Sequence, residues 1–294
     1  MSKQLSPKAY ANTLAKAWGK HFPVDVRVVA LDLSSRQPDP IKKIEAIDIP
    51  PDACEGILAP NTRGTRWGIG YSTYIRETGK VNFTVAHELG HYVLHRKDKH
   101  PAIDTEEQLR DFPRARQSPD NIEQEANEFA SYLLMPLDDY RDQLTSDAVT
   151  MDLVTHCAAR YGTSLAAAAL KLIEFIDKPV VCISSRRGIV QWSRSSEPAF
   201  KAGLYLRRGT PVPQGSLTFG CQGAQASAEL RAGARNDRAG WFPGVRVHES
   251  AVPQPYYESV FTLLQCWGSV GRPRDDGYDE PHEDMYDRFR SFSR

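Results

Sequence analysis

The chain has 294 residues, 40% of them hydrophobic, which is enough for well-filled cores and more than one compact domain usually takes, so two domains are expected. Lys+Arg and Asp+Glu both number 37, so no net charge draws the protein to nucleic acid or to an anionic membrane surface. The five cysteines are odd in number and lack any CxxC pair, which excludes a disulfide framework and a thiolate zinc site; with no apolar N-terminal stretch and no spanning run, a cytoplasmic protein without a membrane partner is expected.

Residues 6–20 read as a short amphipathic helix, with Ser6 as N-cap, Pro7 at the first position, and Tyr10, Leu14 and Trp18 repeating every four residues. A strand is expected over 24–31 and a loop through 36–40. Residues 55–60 and 65–72 read as two strands joined by a turn at 61–64. They directly precede the motif described next, and the pattern fits equally an ordinary packed hairpin and an edge to which an extended substrate adds itself.

The stretch 82–95, N-F-T-V-A-H-E-L-G-H-Y-V-L-H, reads as a buried helix starting near Asn82 as its cap. Within it, His87, Glu88 and His91 form an HExxH pattern. Two histidines four apart share one face of a helix and can grip one zinc ion, with Glu88 directed at a zinc-activated water. His95 lies one turn further on, but a single helix cannot wrap three successive imidazoles tetrahedrally around one ion, so His95 reads as a supporting or structural residue. The elongated HExxHxxGxxH pattern fails too, since Leu94 and Lys97 stand where its glycine and last histidine would be. A third ligand must come from elsewhere.

The charged stretch 96–117 reads as an exposed connection, and a second helix is expected from Ser118, Pro119 and Asp120 to Met135. On a helical wheel Ile122, Ala126, Phe129, Ala130, Leu133 and Leu134 form one apolar stripe. Glu123 falls about 60° from its centre, Glu125 about 100° and Glu128 about 160°, so only Glu123 borders the buried face. Asn127 is placed to hold the Glu123 carboxylate.

Taken together, F-T-V-A-H-E-L-G-H-Y-V-L-H and E-Q-E-A-N-E-F-A-S-Y-L-L-M-P resemble the ImmA/IrrE family of zinc metallopeptidases, and both motifs match without gaps. The resemblance is strongest over 55–136. It implies Zn2+ as cofactor, His87, His91 and Glu123 as its ligands, Glu88 as catalytic base, and a helix-turn-helix transcriptional repressor as the protein substrate, cleaved in stress response or mobile-element control. Many members carry an N-terminal DNA-binding domain; none is read in the residues before the motif. Tyr71, Tyr92 and His95 stay open as donors to the developing oxyanion.

Beyond Pro136, helices are expected over 151–160 and 164–176, separated by Gly162 in the left-handed conformation. The second helix has one Lys and no Arg, Asn or Gln to meet base edges, which argues against DNA readout. From 178 the pattern turns to short strands at 180–184, 188–192, 204–206, 216–219 and 245–249, a turn at 241–244, and a closing helix over 257–267. This part is similar to C-terminal extensions of longer family members, some of them GAF-like.

The expected fold is α+β. A zincin-like domain at 1–136, with an HExxH helix and a small antiparallel sheet, precedes a helical segment at 137–177, an α+β sensor or substrate-recognition domain at 178–269, and a charged tail at 270–294. The function expected is zinc-dependent peptide-bond hydrolysis in trans. The competing reading is a non-catalytic zinc-binding module that sequesters a repressor or toxin.

Overall fold

A computed structural model describes residues 5–50, 54–97, 120–144, 147–237 and 239–268. The exposed connection expected at 96–117 falls mostly outside these residues, as do the cap at Ser118 and Pro119 and the tail at 270–294. The protein mixes helix and sheet and divides into two compact units. One takes Met1–Tyr140 and Ala158–Ser164, the other Arg141–Cys157 and Leu165–Glu280, each over its described residues. No helix among them is long and apolar enough to cross a membrane.

In the first unit, α1 (Pro7–Trp18) begins as its sequence dictates: the Ser6 hydroxyl accepts from Ala9 N, and Pro7 occupies the first turn, where its missing N–H costs nothing. Its most buried residues are the small Ala11 and Ala15, which let it lie close on a later helix, with Tyr10 against Phe129. The strand expected over 24–31 is instead α2 (Val26–Ser35). Its β-branched residues suggested a strand, but Asp25 caps two backbone amides, Arg27 N and Val28 N. Val26, Val29 and Ala30 then bury one helical face while Val28 and Leu31 stay exposed, so capping and period 3.6 outweigh local β propensity.

Three strands follow: β1 (Ile41–Ile47), β2 (Gly56–Pro60) and β3 (Trp67–Ser72), in the order β1-β3-β2. The expected hairpin pairs antiparallel, from Gly56 opposite Tyr71 to Pro60 opposite Trp67. The small sheet is mixed rather than purely antiparallel, because β1 runs parallel to β3. Lys42, Lys43 and Glu45 hid β1 from a search for apolar alternation, yet such charges suit the outer strand of a sheet, where they discourage further pairing.

The helix expected from Asn82 starts earlier: α3 spans Thr78–His95, preceded by Glu77. Asn82 lies inside it and donates its side-chain amide to Gly162 O at 3.0 Å. Next among the described elements come α4 (Asp120–Leu134) and α5 (Leu137–Gln143). Helix α4 packs against both α1 and α3. Helices α6 (Met151–Tyr161) and α7 (Leu165–Phe175) are separated by Gly162 at φ +59°, the left-handed stop the sequence calls for. At that corner Asp139 accepts two bonds from Arg160, each 2.8 Å, and one of 2.7 Å from the Tyr161 hydroxyl.

The second unit is built on a five-stranded antiparallel sheet ordered β5-β4-β8-β7-β6: β4 (Val180–Arg186), β5 (Ile189–Ser195), β6 (Ala234–Arg235), β7 (Arg246–Gln254) and β8 (Ser259–Trp267). The closing helix expected over 257–267 is therefore a strand. Strand β8 is paired on both edges and buried from Val260 to Cys266. A strand buried on both faces, polar Thr262 and Gln265 included, has no alternation to distinguish it from a helix, so its period misleads. Residues 204–206 are not a strand; their carbonyls at Leu204 and Leu206 accept the hydroxyls of Ser195 and Ser193. Residues 216–219 form a turn of helix, α8 (Leu217–Gly220), because Ser216 caps Phe219 N while buried Glu249 accepts from Leu217 N and Thr218 N. All five cysteines are free thiols, and burial pushes Cys266 up to about 12 and Cys221 to about 11.

Candidate metal centre

Helix α3 carries His87, Glu88, His91 and His95, all buried although all polar. Polar groups taken out of water need partners, so the neighbours of each are informative. His87 Nε2 and His91 Nε2 lie 3.0 Å apart, as the i, i+4 spacing allows. Across from them, α4 brings in Glu123, whose Oε2 is 3.2 Å from His87 Nε2 and whose Oε1 is 3.5 Å from His91 Nε2.

A close helix crossing makes this meeting possible. A Cβ on Gly90 would stand 3.1 Å from Ala126 Cα, 3.1 Å from Phe129 Cδ1 and 3.2 Å from Ala126 O. A glycine on α3 facing an alanine on α4 thus sets the separation of the two helices. Glu123 sits one turn before Ala126, and its carboxylate reaches the imidazole pair for that reason.

These three residues could hold a metal ion. Three donors on a tetrahedral zinc at about 2.0–2.2 Å stand about 3.3–3.6 Å from one another, close to the separations found here. The ring nitrogens fit as well. Asn127 Oδ1 lies 2.8 Å from His87 Nδ1, so Nδ1 of a neutral His87 donates there and Nε2 presents its lone pair to the centre. Two imidazole nitrogens and a carboxylate are a donor set that suits zinc.

Glu88 is 1% exposed and faces close-packed backbone: a Cβ on Gly56 of β2 would lie 2.8 Å from its Oε1 and 2.5 Å from Thr84 Cγ2. Any side chain at that strand position would press on Thr84 and on the Glu88 carboxylate, and both would have to shift. Tyr92 and His95, considered above as oxyanion donors, are engaged elsewhere. The Tyr92 hydroxyl donates to Asp39 O at 3.1 Å, and burial, with Asp39 nearby, pushes it up to about 12. His95 lies between His91, Nδ1 to Nδ1 at 3.2 Å, and Glu125, whose Oε2 is 2.9 Å from His95 Nε2. Tyr71 on β3 lies beneath the Arg27 guanidinium.

The wheel reading set Glu125 and Glu128 apart from the centre. Glu128 pairs with Lys8 at 3.2 Å, whereas Glu125 reaches back to His95. A position about 100° off an apolar stripe is still within reach of a neighbouring helix when the side chain is as long as glutamate. Asn127, read from sequence as a partner for Glu123, meets the His87 ring. Spacing along α4 alone could not reveal either contact, because both depend on how α4 sits across α3.

A family model for the IrrE N-terminal-like domain, Peptidase_M78, matches residues 60–172. No curated protein matches the chain. Among solved structures, a Mycobacterium tuberculosis transcriptional regulator is similar over 88% of this chain and 75% of its own, at 13% identity and a TM-score of 0.49. Likeness that distant carries no argument about activity.

Proposed function

We propose that the chain, whose residues 60–172 match a family model for the IrrE N-terminal-like domain, is a zinc-dependent endopeptidase that cleaves a helix-turn-helix transcriptional repressor, or a similar regulator, in trans. The observation that carries this reading is the convergence of His87 Nε2, His91 Nε2 and the Glu123 carboxylate within 3.0–3.5 Å of one another. The three would hold the zinc. When bound, the zinc would supply Lewis acidity, polarising a peptide carbonyl and making water a far stronger acid than in bulk.

The remaining work falls to the chain. Glu88, next to His87 on the same helix, takes the proton from the attacking water on one carboxylate oxygen and returns it to the departing amine nitrogen as the C–N bond breaks. Its burial behind Gly56 keeps bulk water from the carboxylate, so the proton moves between Glu88 and the reacting atoms. Asn127 holds His87 in the tautomer that leaves Nε2 bare.

The test is to co-produce the protein with small helix-turn-helix regulators and look for clipping. Wild type should cut and Glu88→Gln should not, while retaining its metal. Equal activity of Glu88→Gln and wild type on the regulator would instead indicate a binding module that needs no hydrolysis.

A further inference from the structure

We propose that His95 and Glu125 are positioning residues for the metal centre, forming a carboxylate–imidazole relay that fixes the His91 ring with its Nε2 bare. The inference rests on the zinc reading above. Its starting point is that His91 carries a second imidazole on the side of its ring away from His87 and Glu123: His91 Nδ1 lies 3.2 Å from His95 Nδ1. Two ring nitrogens can share one hydrogen bond only if one has a proton and the other does not.

The far side of His95 decides which. Its Nε2 lies 2.9 Å from Glu125 Oε2. A carboxylate only accepts, so His95 Nε2 is the donor, and the Nδ1 of a neutral His95 is bare. His91 Nδ1 must then carry the proton and give it to that bond, leaving His91 Nε2 as a lone pair 3.0 Å from His87 Nε2. Were both Nε2 atoms protonated, two N–H groups would collide head-on; with both bare, they repel unless a cation lies between them. Glu125 on α4 and Asn127 two residues on thus act on the two histidines separately, through different partners.

The same geometry excludes His95 as a third ligand, since it contacts the wrong nitrogen of His91. It also gives a buried third histidine a reason to exist at 7% exposure. Partners of this kind orient the ligand ring and raise its basicity, and removing one typically costs about 10–100-fold in metal affinity.

The test uses the full chain with zinc alone as the probe, its affinity measured by competition with a chelator well above the ordinary imidazole pKa of about 6.5. We expect His95→Phe to weaken zinc binding about 10–100-fold and Glu125→Ala to weaken it in the same direction. The double variant should be no weaker than His95→Phe, because both act through one chain of contacts. His95→Asn, which keeps an acceptor oxygen near the Nδ1 position, should recover part of the loss. Glu128→Ala, on the same helix and paired with Lys8, should match wild type.

A second readout needs no metal. Two-bond proton–nitrogen spectra of the metal-free protein should show His91 protonated at Nδ1 in wild type and shifted towards Nε2 in His95→Phe. Should wild type bind no zinc, the zinc reading fails and takes this proposal with it. Should wild type bind zinc, and His95→Phe and Glu125→Ala bind it as tightly with the His91 tautomer unchanged, the relay alone is overturned. Glu125 is half-exposed, so Glu125→Ala keeps the test decisive even if His95→Phe does not fold.

Discussion

Replacing Gly90 with alanine should separate metal binding from fold stability. The added methyl carbon would sit 3.1 Å from Ala126 Cα, 3.1 Å from Phe129 Cδ1 and 3.2 Å from Ala126 O, where carbon atoms prefer about 3.5–4.0 Å. Two of those three atoms are backbone and cannot rotate aside, so α3 and α4 must part by a few tenths of an ångström. Overpacking of this kind costs about 1–3 kcal/mol, offset by about 1 kcal/mol from replacing glycine inside a helix. The net loss should therefore be no more than about 2 kcal/mol, readable in a urea melt. Zinc is less forgiving, because ligand distances hold to about ±0.2 Å, and Glu123 rides on the helix that moves. Zinc affinity should fall at least about 10-fold, or about 1.4 kcal/mol, while the protein stays folded at 25 °C. Wild-type affinity in Gly90→Ala would refute the claim that this helix crossing positions Glu123.

Three further outcomes are expected. Gly56→Ala should lower the rate of substrate cleavage about 10–100-fold with zinc retained, because its methyl, 2.8 Å from Glu88 Oε1, pushes the carboxylate aside; unchanged turnover would remove the strand from the account. Asp139→Asn should cost about 2 kcal/mol in denaturant unfolding at neutral pH, a value reduced from that of a fully buried pair because Arg160 is one-third exposed. The Arg160 hydrogen bonds hold Asp139 below the ordinary carboxylate range, so its contribution is complete above about pH 4 and disappears as pH falls through the lowered value. Wild type should lose this increment on acidification and Asp139→Asn should not. Glu249→Ala, which deprives Leu217 N and Thr218 N of their buried acceptor, should destabilise the second unit by about 3 kcal/mol; a loss below about 0.5 kcal/mol would mean that water replaces the carboxylate.

How much of this was legible in the sequence depended on whether the signal was local. The start of α1 at Ser6 and Pro7, the β2–β3 hairpin and the Gly162 stop are fixed by residues near one another in the chain, and spacing reveals them. Asp25 could have identified α2 in the same way, but a run of valines outweighed one capping residue. Strand β8 reads as a helix in the sequence because burial on both faces erases the alternation that identifies a strand.

At the centre, HExxH spacing alone puts His87 and His91 together, and the stripe on α4 turns Glu123 towards the core. The contacts of His95 with Glu125 and of His87 with Asn127 were not legible. They arise from the register of two helices whose contact residues, Gly90 and Ala126, carry no chemical signal of their own.

The central claim is that His87, His91 and Glu123 hold one zinc ion together. Its most direct test is the zinc content of the purified full chain and of Glu123→Ala, after brief exposure to zinc and removal of excess by gel filtration. The account predicts about one zinc per chain in wild type and a near-complete loss in Glu123→Ala with the helical signal intact. A folded wild type that retains no zinc, or a Glu123→Ala variant that retains it undiminished, would contradict it.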